Sequence, residues 1–385
     1  MTLRMGIDPA SFLADYWQQQ PLLMRQAIDP ELFTIDPNAL AGMACEADIE
    51  ARLVVQDGTA TWQVHHGPFE PEIFAQLPER DWTLLVQDVD KYESAVADLV
   101  DLFDFLPSWR IDDIMISYAT DHGGVGPHTD AYDVFLMQGT GTRRWRLSDR
   151  KYTDSDLLPD LDLRILRDLD VDEDWLLQPG DVLYLPAGVA HWGTAEGECM
   201  TYSLGFRAPN QSELAAEWFQ HVVSRASKEV LGSPIATAPL RVTGLDEATV
   251  ENARRLIEQL PSPDGAAFND WLGCFLTEPK PQFHIDPPLE PLTDVELRGL
   301  LDAGKALLRH PWARLTWHRA AGQPLQLYCN GESISVAGNS TDVVDTICGH
   351  RRLRSDMFTL EQQHPASKLL LTLLNRGIFD IADDQ

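Results

Sequence analysis

The sequence predicts a mainly β core with α-helical parts, in which a small antiparallel barrel precedes a helical region and a second, mixed unit. Short alternating strands with glycine and proline turns run from about residue 108 to 208, which is typical of a sandwich or barrel. Helical periodicity replaces them after Pro209, and strands return beyond residue 294. These changes of pattern predict more than one folding unit.

The length of 385 residues favours two or three domains over a single core. We predict a first domain at 1–209, with its core at about 95–209, and a helical region at 210–278. Five prolines between residues 279 and 294 indicate a linker at 279–294. The last unit, 295–385, has the order helix, strands, helices, which resembles a winged helix.

Within the first domain, residues 9–20 predict a short helix, because apolar side chains recur there at helical spacing. Pro21 ends that helix, and the strand-like segment LLMR follows. Alternation or continuous apolar character then predicts the barrel strands. These strands lie in WRIDDIMISYAT, YDVFLMQG, RRWRLS, VLYL and CMTYSLGFRA.

The helical region begins at Asn210 or Ser212, either of which can cap a helix. Two more helices are predicted at 246–260 and 264–277 from the same periodicity. In the last unit, Asn330-Gly331 lies between two strand-like segments and predicts a tight hairpin turn.

Acidic residues dominate the charge, since 60 Asp and Glu stand against 30 Lys and Arg and give a formal net charge of −30. Such a polyanion disfavours direct nucleic-acid binding, which needs a basic surface. It favours a basic partner, whose arrival it would speed. The alternative is that the acidity serves only solubility, and composition alone favours that second explanation.

The sequence predicts a cytoplasmic protein that does not interact with membranes. No apolar run approaches the roughly 20 residues that cross a bilayer. The first ten residues lack the basic and then apolar pattern of a secretion signal. The five cysteines are scattered and form no C-x-x-C pair, as in proteins whose thiols stay reduced.

His128, Asp130 and His191 are the candidate metal ligands and the candidate catalytic residues. Because side chains two apart on a strand point the same way, His128-Thr129-Asp130 presents an imidazole and a carboxylate to one pocket. A second imidazole from another strand would complete the two-histidine, one-carboxylate set of Fe(II) oxygenases. That set leaves positions open for a co-substrate and O2.

The surroundings of both histidines favour the metal interpretation over two ordinary barrel histidines. The segment GGVGPHTD places glycines before His128, so that the backbone can approach the site closely. The segment QPGDVLYLPAGVAH ends in His191, where a proline and a glycine bend the chain after a strand. The identity of the metal stays open, since zinc, manganese, nickel or cobalt could take the same ligands.

Arg143 is the candidate cation for an acidic co-substrate. It lies fifteen positions after His128 and shares a strand face with Trp145, a side chain that is usually buried. An inward guanidinium could hold the far carboxylate of 2-oxoglutarate in a bidentate fork, with Ser117 as a polar helper. The alternatives are that the arginines at 143–146 form a solvated strand face and that Ser117 bonds only to backbone.

Several stretches resemble the JmjC-type 2-oxoglutarate oxygenases of the cupin superfamily and, within these, the bacterial ribosomal oxygenases, which are protein arginine hydroxylases. They are GGVGPHTD, QPGDVLYLPAGVAHWG, WRIDDIMIS, YDVFLMQGTGTRRWR, YSLGFRAPN and the opening DYWQQQPLLMR. The resemblance spans essentially the whole chain, including the order of barrel, helical region and winged-helix-like end.

This resemblance implies a double-stranded β-helix, followed by a helical dimerisation region and hence a homodimer. It implies Fe(II) on His128, Asp130 and His191, 2-oxoglutarate on Arg143 with help from Ser117, and O2 as the second co-substrate. The implied reaction is 3-hydroxylation of one arginine in large-subunit ribosomal protein number sixteen. Ribosomal proteins are basic, which suits an acidic enzyme.

Asp121, Tyr132 and Asp133 are candidate contacts to the substrate arginine because they lie near the ligand loop, and the alternative for each is a loop cap or surface group. Other functions stay open. They are another JmjC activity (histidyl hydroxylation, lysyl demethylation or tRNA-base hydroxylation), a metal cupin that does not use 2-oxoglutarate, and a binding protein with a vestigial site. A tRNA substrate would need a basic patch, which the sequence does not advertise.

Overall fold

The structure is a computed structural model that describes most of the chain. The described residues are 3–56, 62–159, 161, 163–228, 231, 247–263, 265–336, 341–358 and 365–382. Within these ranges, no helix is both long enough and apolar enough to cross a membrane.

One ten-stranded antiparallel sheet dominates the first half of the chain. Its strands are β1 (Leu22–Met24), β2 (Ala51–Gln56), β3 (Trp62–His66), β4 (Trp82–Val86), β5 (Ile111–Ala119), β6 (His128–Thr129), β7 (Asp133–Ser148), β8 (Glu173–Leu177), β9 (Val182–Leu185) and β10 (Ala190–Phe206). The order is β1-β9-β7-β10-β5-β4-β2-β3, with β6 beside β10 and β8 beside β7. This arrangement confirms the predicted mainly β core of the double-stranded β-helix type.

Helices cover the outside of this sheet. They are α1 (Pro9–Asp15), α2 (Pro37–Met43), α3 (Val89–Tyr92) and α4 (Ser94–Ala97), with 3-10 turns at Pro30–Leu32, Pro71–Gln76, Asp98–Phe103, Ser108–Arg110 and Asp154–Asp156. The predicted helix at 9–20 is therefore confirmed only in its first half. It ends early because the chain turns after Tyr16 towards β1, and Gln18 adopts a positive φ of 60°.

The alternation of side chains divides each barrel strand into two faces. On β5, Ile114 and Ile116 belong to the main apolar core, whereas Asp113, Met115 and Ser117 line an internal cavity. The same period of two applies along β10 and the first part of β7. The register of the sheet therefore decides which polar side chains can reach the cavity.

The helical region follows the barrel as predicted, with α5 (Gln211–Arg225), α6 (Glu247–Glu258) and α7 (Ala266–Thr277). Asn210, rather than Ser212, caps α5, because its side-chain oxygen accepts from the backbone N–H groups of Ser212 and Glu213. Trp218 of α5 packs on Trp271 of α7, with ring centroids 5.0 Å apart. This contact joins the first and last of the three helices.

The C-terminal unit has its own apolar core between helices and two three-stranded sheets. Its elements are α8 (Asp294–Asp302), β11 (Leu307–Arg309), β12 (Leu315–His318), β13 (Leu325–Cys329), β14 (Glu332–Val336), α9 (Thr341–Gly349), β15 (Arg352–Leu353), a 3-10 turn (Ser355–Met357), α10 (Pro365–Leu374) and β16 (Phe379–Ile381). Asn330 and Gly331 both have positive φ, 45° and 83°, at the turn between β13 and β14. The predicted hairpin is thus confirmed.

The C-terminal half is anchored on the barrel by four side-chain donors. They are Lys280 Nζ to Asp88 Oδ1 (2.7 Å), Trp312 Nε1 to the Lys91 carbonyl (2.9 Å), Arg314 to the Trp109 carbonyl (2.9 Å) and Arg351 to Asp98 Oδ1 (2.7 Å). Phe283, only 4% exposed, packs between Tyr92 and Trp312. The proline-rich segment predicted as a linker is therefore packed against the barrel over this stretch.

Candidate active site

The structure brings His128, Asp130 and His191 together in the lining of the cavity. Strand pairing places His128 directly opposite His191 on β6 and β10, and Asp130 follows two positions after His128. One ligand atom from each residue can be chosen so that all lie within 4.8 Å of one another. Asp130 Oδ1 lies 3.8 Å from His128 Nε2, and Asp130 Oδ2 lies 3.5 Å from His191 Nε2.

Backbone carbonyls fix the orientation of both imidazoles. His128 Nδ1 lies 2.9 Å from the Gly126 carbonyl oxygen, and His191 Nδ1 lies 2.9 Å from that of Val189. Each Nδ1 must carry the hydrogen, because a carbonyl can only accept. Each Nε2 therefore offers a lone pair towards Asp130, which is the tautomer that a metal ligand needs.

Burial keeps His191 neutral and ready to bind a cation. Its side chain is 2% exposed, against 23% for His128 and 22% for Asp130. Burial, together with repulsion from His128, lowers the pKa of His191 to about 4. Two neutral imidazole nitrogens and one carboxylate fit a divalent transition metal and leave further coordination positions to other ligands.

Arg143 lies in the same cavity as a buried cation, and the described part of the chain provides no counter-ion for it. It is 3% exposed, and no carboxylate of the described residues lies within 4.0 Å of its nitrogen atoms. One terminal nitrogen donates to Ser117 Oγ at 3.1 Å and to Thr201 Oγ1 at 3.4 Å, and the other to the Gly193 carbonyl at 3.4 Å. Its Nε is buried without a hydrogen-bond partner.

This environment disfavours the charged guanidinium until an anion arrives. Burial lowers the pKa of Arg143 below its ordinary value, and Cys199 opposes this only in part. The face of the Trp145 ring, 5.1 Å away, also stabilises the guanidinium. A dicarboxylate with one end near the His-Asp-His group could place its other end here. Arg143 and Ser117 thus line the same cavity as His128, Asp130 and His191.

Two glycines shape the Arg143 pocket. A Cβ at Gly193 would lie 2.7 Å from the Trp145 ring and 2.8 Å from Arg143 Nε. A Cβ at Gly124, in the loop before His128, would overlap the Gly193 carbonyl oxygen that accepts from Arg143. The glycine loop thus approaches β10 closely, as the sequence suggested.

The cavity has a volume of about 350 Å³, and Tyr132 is the one candidate substrate contact that lines it. Asp121 does not line it, because its carboxylate accepts from the Gly197 N–H at 2.8 Å on the outside of the barrel. The carboxylate of Asp121 therefore fixes a loop outside the cavity lining.

The expectation that Asp133 contacts substrate is wrong, because the residue faces the apolar core rather than the cavity. The carboxylate is 1% exposed and is bound by Tyr184 Oη at 2.7 Å and by Gln18 and Arg110 at 3.1 Å. The physical reason is the alternation along β7, which sends Val134 to the cavity and Asp133 to the opposite face. Proximity in sequence to the ligand loop did not reveal this alternation.

Asp113 is a cavity residue that the sequence interpretation missed. Its Oδ2 accepts from the Asp88 N–H at 2.8 Å and, with the Gln87 amide oriented to satisfy both neighbours, from Gln87 at 2.9 Å. No described residue donates a hydrogen bond to its Oδ1. The available signal was the period of two in WRIDDIMIS, which places Asp113 on the same strand face as Ser117.

Burial and neighbouring carboxylates make Asp113 a weaker acid than an ordinary aspartate. It is 8% exposed, and burial, with repulsion from Asp90 and Asp88, raises its pKa to about 7. Lys280 opposes that shift, whereas Asp112 adds to it. A cation bound at the free oxygen would favour the ionised form.

Comparison with known proteins places two family profiles on the chain. A JmjC domain matches residues 98–214, and a ROXA-like winged helix matches residues 256–380. The second match takes in α7 and the proline-rich segment as well as the C-terminal unit.

The chain is similar over its whole length to characterised relatives. It is 34% identical over 384 residues to the ribosomal protein uL16 3-hydroxylase of Escherichia coli strain K12, with 98% of both chains covered. The X-ray structure of E. coli YcfD has a TM-score of 0.81 at 32% identity and covers 99% of this chain and 100% of that one. YcfD in complex with cobalt and 2-oxoglutarate has a TM-score of 0.78 at 31% identity, with the same coverage.

The geometry predicts that Asp130→Ala weakens divalent-metal binding, because the two imidazoles alone provide no negative charge. We expect the affinity for Co²⁺, measured by titration calorimetry on the full chain, to fall by more than the roughly 10- to 100-fold lost with an outer-sphere partner. Asp121→Ala is the matched control and should bind Co²⁺ like the unmodified chain. Equal affinity in the two variants would remove Asp130 from the ligand set.

Proposed function

The chain belongs to the family of JmjC-domain ribosomal oxygenases, which depend on 2-oxoglutarate, and from this premise we propose that it hydroxylates an arginine side chain of ribosomal protein uL16. The E. coli relative is named as the 3-hydroxylase of that ribosomal protein. The net charge of −30 supports a basic substrate. The product on this proposal is the 3-hydroxyarginine form of the protein.

A single observation carries the proposal: Arg143 is a buried cation that has no counter-ion among the described residues, and it lies in the same cavity as the His-Asp-His group. An isolated buried charge costs free energy, and a bound carboxylate would offset that cost. 2-Oxoglutarate combines such a carboxylate with a keto-acid end that can chelate a metal. A metal cupin without a dicarboxylate co-substrate would have no use for Arg143.

The side chains of the cavity have separable roles in this proposal. His128, Asp130 and His191 would hold Fe(II), and Arg143 with Ser117 would hold the far carboxylate of 2-oxoglutarate. Ferrous iron, when bound, supplies the activation of O2 that transfers one oxygen atom to the substrate carbon while 2-oxoglutarate is oxidised to succinate and CO2. The chain itself positions the substrate and excludes competing targets.

Asp113 and Tyr132 would receive the substrate arginine. The free Oδ1 of Asp113 can accept from a guanidinium, and the pairing of these two groups is strong when both are charged and buried. Tyr132 lines the same cavity and offers a ring and a hydroxyl beside it. This assignment replaces Asp121 and Asp133.

We also propose that the chain divides into a catalytic domain at 1–209, a helical dimerisation region at 210–278, a proline-rich linker at 279–294 and a winged-helix-like domain at 295–385. We further propose that it forms a cytoplasmic homodimer that makes no direct contact with nucleic acid. Large apolar side chains remain exposed on the helices, namely Phe219 and Val223 of α5 (64% and 70%) and Ile257 of α6 (68%). A second copy of the chain would cover them.

The decisive test supplies Fe(II), 2-oxoglutarate, O2 and a uL16 peptide, and looks by mass spectrometry for a one-oxygen gain on arginine. We expect stoichiometric succinate and loss of both signals in Arg143→Met, because the co-substrate carboxylate then lacks its cation. Asp121→Ala, which lies outside the cavity, should retain activity. Oxygen on another residue, or formaldehyde release, would identify a different activity of the same site.

The raised pKa of Asp113 predicts a pH-dependent KM for the peptide. Because the acid form dominates below about 7, substrate binding should improve as the pH rises and the carboxylate forms. The KM should fall about tenfold from pH 6 to pH 8, as expected for one ionisation. In Asp113→Asn, the KM should be high and independent of pH, whereas the KM for 2-oxoglutarate should stay constant in both proteins. A flat peptide KM in the unmodified enzyme would contradict the assignment.

The dimer proposal predicts that Phe219→Glu combined with Val223→Glu yields monomers, because two charges would have to be buried in the interface. Sedimentation equilibrium measures the mass directly. Leu289→Glu, in the proline-rich segment and fully exposed at 102%, is the control and should leave the mass unchanged. A monomeric unmodified chain at micromolar concentration would refute the dimer.

A further inference from the structure

We propose that Lys280, which lies outside the barrel in the proline-rich segment, is a positioning residue for substrate binding that acts on Asp113 through the turn at Asp88. This inference rests on the proposed function, because it concerns the arginine acceptor of that reaction. It assigns the C-terminal half of the chain a role in the catalytic cavity.

The first step is the ion pair between Lys280 and Asp88. Lys280 Nζ lies 2.7 Å from Asp88 Oδ1, and the Asp88 side chain is only 7% exposed. The same nitrogen lies 3.7 Å from Asp112 Oδ1. Lys280 is therefore the cation that a buried carboxylate of the barrel depends on, although it comes from a segment 192 positions further along the chain.

The second step is the turn that Asp88 forms. Asp88 has φ 56° and ψ 25°, a left-handed conformation that only a few residue types adopt readily. From this turn, the Asp88 N–H donates to Asp113 Oδ2 at 2.8 Å, and the preceding side chain, Gln87, donates to the same oxygen at 2.9 Å. Both described donors to Asp113 thus come from one turn, which leaves the Oδ1 atom for a ligand.

The third step is electrostatic. Asp88, Asp90, Asp112 and Asp113 lie close enough to affect one another, and only two described lysines pair with this group. Lys91 pairs with Asp90 at 2.6 Å, so among the described residues Lys280 is the cation that forms ion pairs with Asp88 and Asp112. Lys91 and Arg314 add weaker attraction to Asp88 and Asp112, respectively. Without Lys280, repulsion would favour the protonated form of Asp113, which is a poor acceptor for a guanidinium.

Neighbouring contacts from the C-terminal half hold the Asp88 turn and the start of β5. Trp312 donates to the Lys91 carbonyl after the turn, and Arg314 donates to the Trp109 and Ile111 carbonyls where β5 begins. The C-terminal half therefore binds the backbone on both sides of the Asp88–Asp113 contact, after the Asp88 turn and at the start of β5. The Arg351–Asp98 ion pair, 2.7 Å long, also joins the two halves but contacts neither the Asp88 turn nor β5. A variant that breaks it therefore weakens the contact between the two halves without disturbing the position of Asp113.

The test compares full-length variants in the peptide assay. We expect Lys280→Met to raise the peptide KM about tenfold, with little change in kcat or in 2-oxoglutarate affinity. Lys280→Arg, which keeps the charge, should restore most of the loss. Asp98→Asn, which breaks the other ion pair between the two halves, should leave the KM unchanged.

A double variant protects the test against simple misfolding. Asp88→Asn with Lys280→Met removes both charges but keeps the residue 88 N–H and a side chain that tolerates positive φ, so the KM should return towards that of the unmodified enzyme. An unchanged KM in Lys280→Met, an equal rise in Asp98→Asn, or no recovery in the double variant would overturn the inference alone. An unmodified enzyme that hydroxylates no arginine would overturn the proposed function and this inference together.

Discussion

A guanidinium buried without a counter-ion is an unfavourable element of a fold, and the cavity of this protein is organised around one. Arg143 bonds only to hydroxyls and a carbonyl in the described structure, which are weak compensation for lost hydration. Ser117 and Thr201 lie directly opposite each other on β5 and β10, so two strands converge on this cation. A ligand that carries negative charge would therefore stabilise the buried guanidinium further.

The His-Asp-His group depends on strand register in the same way. His128 and His191 face each other because β6 pairs with β10 at that position, and a slip of one residue would turn one of them away. The Gly126 and Val189 carbonyls then set both tautomers. Metal affinity is therefore distributed over a strand pair and two turns, beyond the three side chains that would touch the ion.

Local patterns in the sequence predicted the barrel, a helix cap at Asn210 or Ser212, and the Asn330-Gly331 hairpin, because alternation, capping and turn chemistry are short-range properties. They also predicted that His128 and Asp130 share a face and that Arg143 points inward with Trp145. They misplaced Asp133, since nearness along the chain is not nearness in space. The period of two in WRIDDIMIS places Asp113 on the face of Ser117, but its role depends on contacts with Asp88, Gln87 and Lys280, which no local pattern encodes.

The glycine pair behind Arg143 has a consequence for how such enzymes lose activity. Gly124 and Gly193 are not among the three candidate metal ligands, yet a methyl group on either one would displace the Gly193 carbonyl or the Arg143 side chain. A single codon change there could silence turnover while every recognised motif stays intact. A descendant of this kind would pass for a working oxygenase in any survey of conserved ligands, and only inspection of its two small residues would reveal the pseudoenzyme.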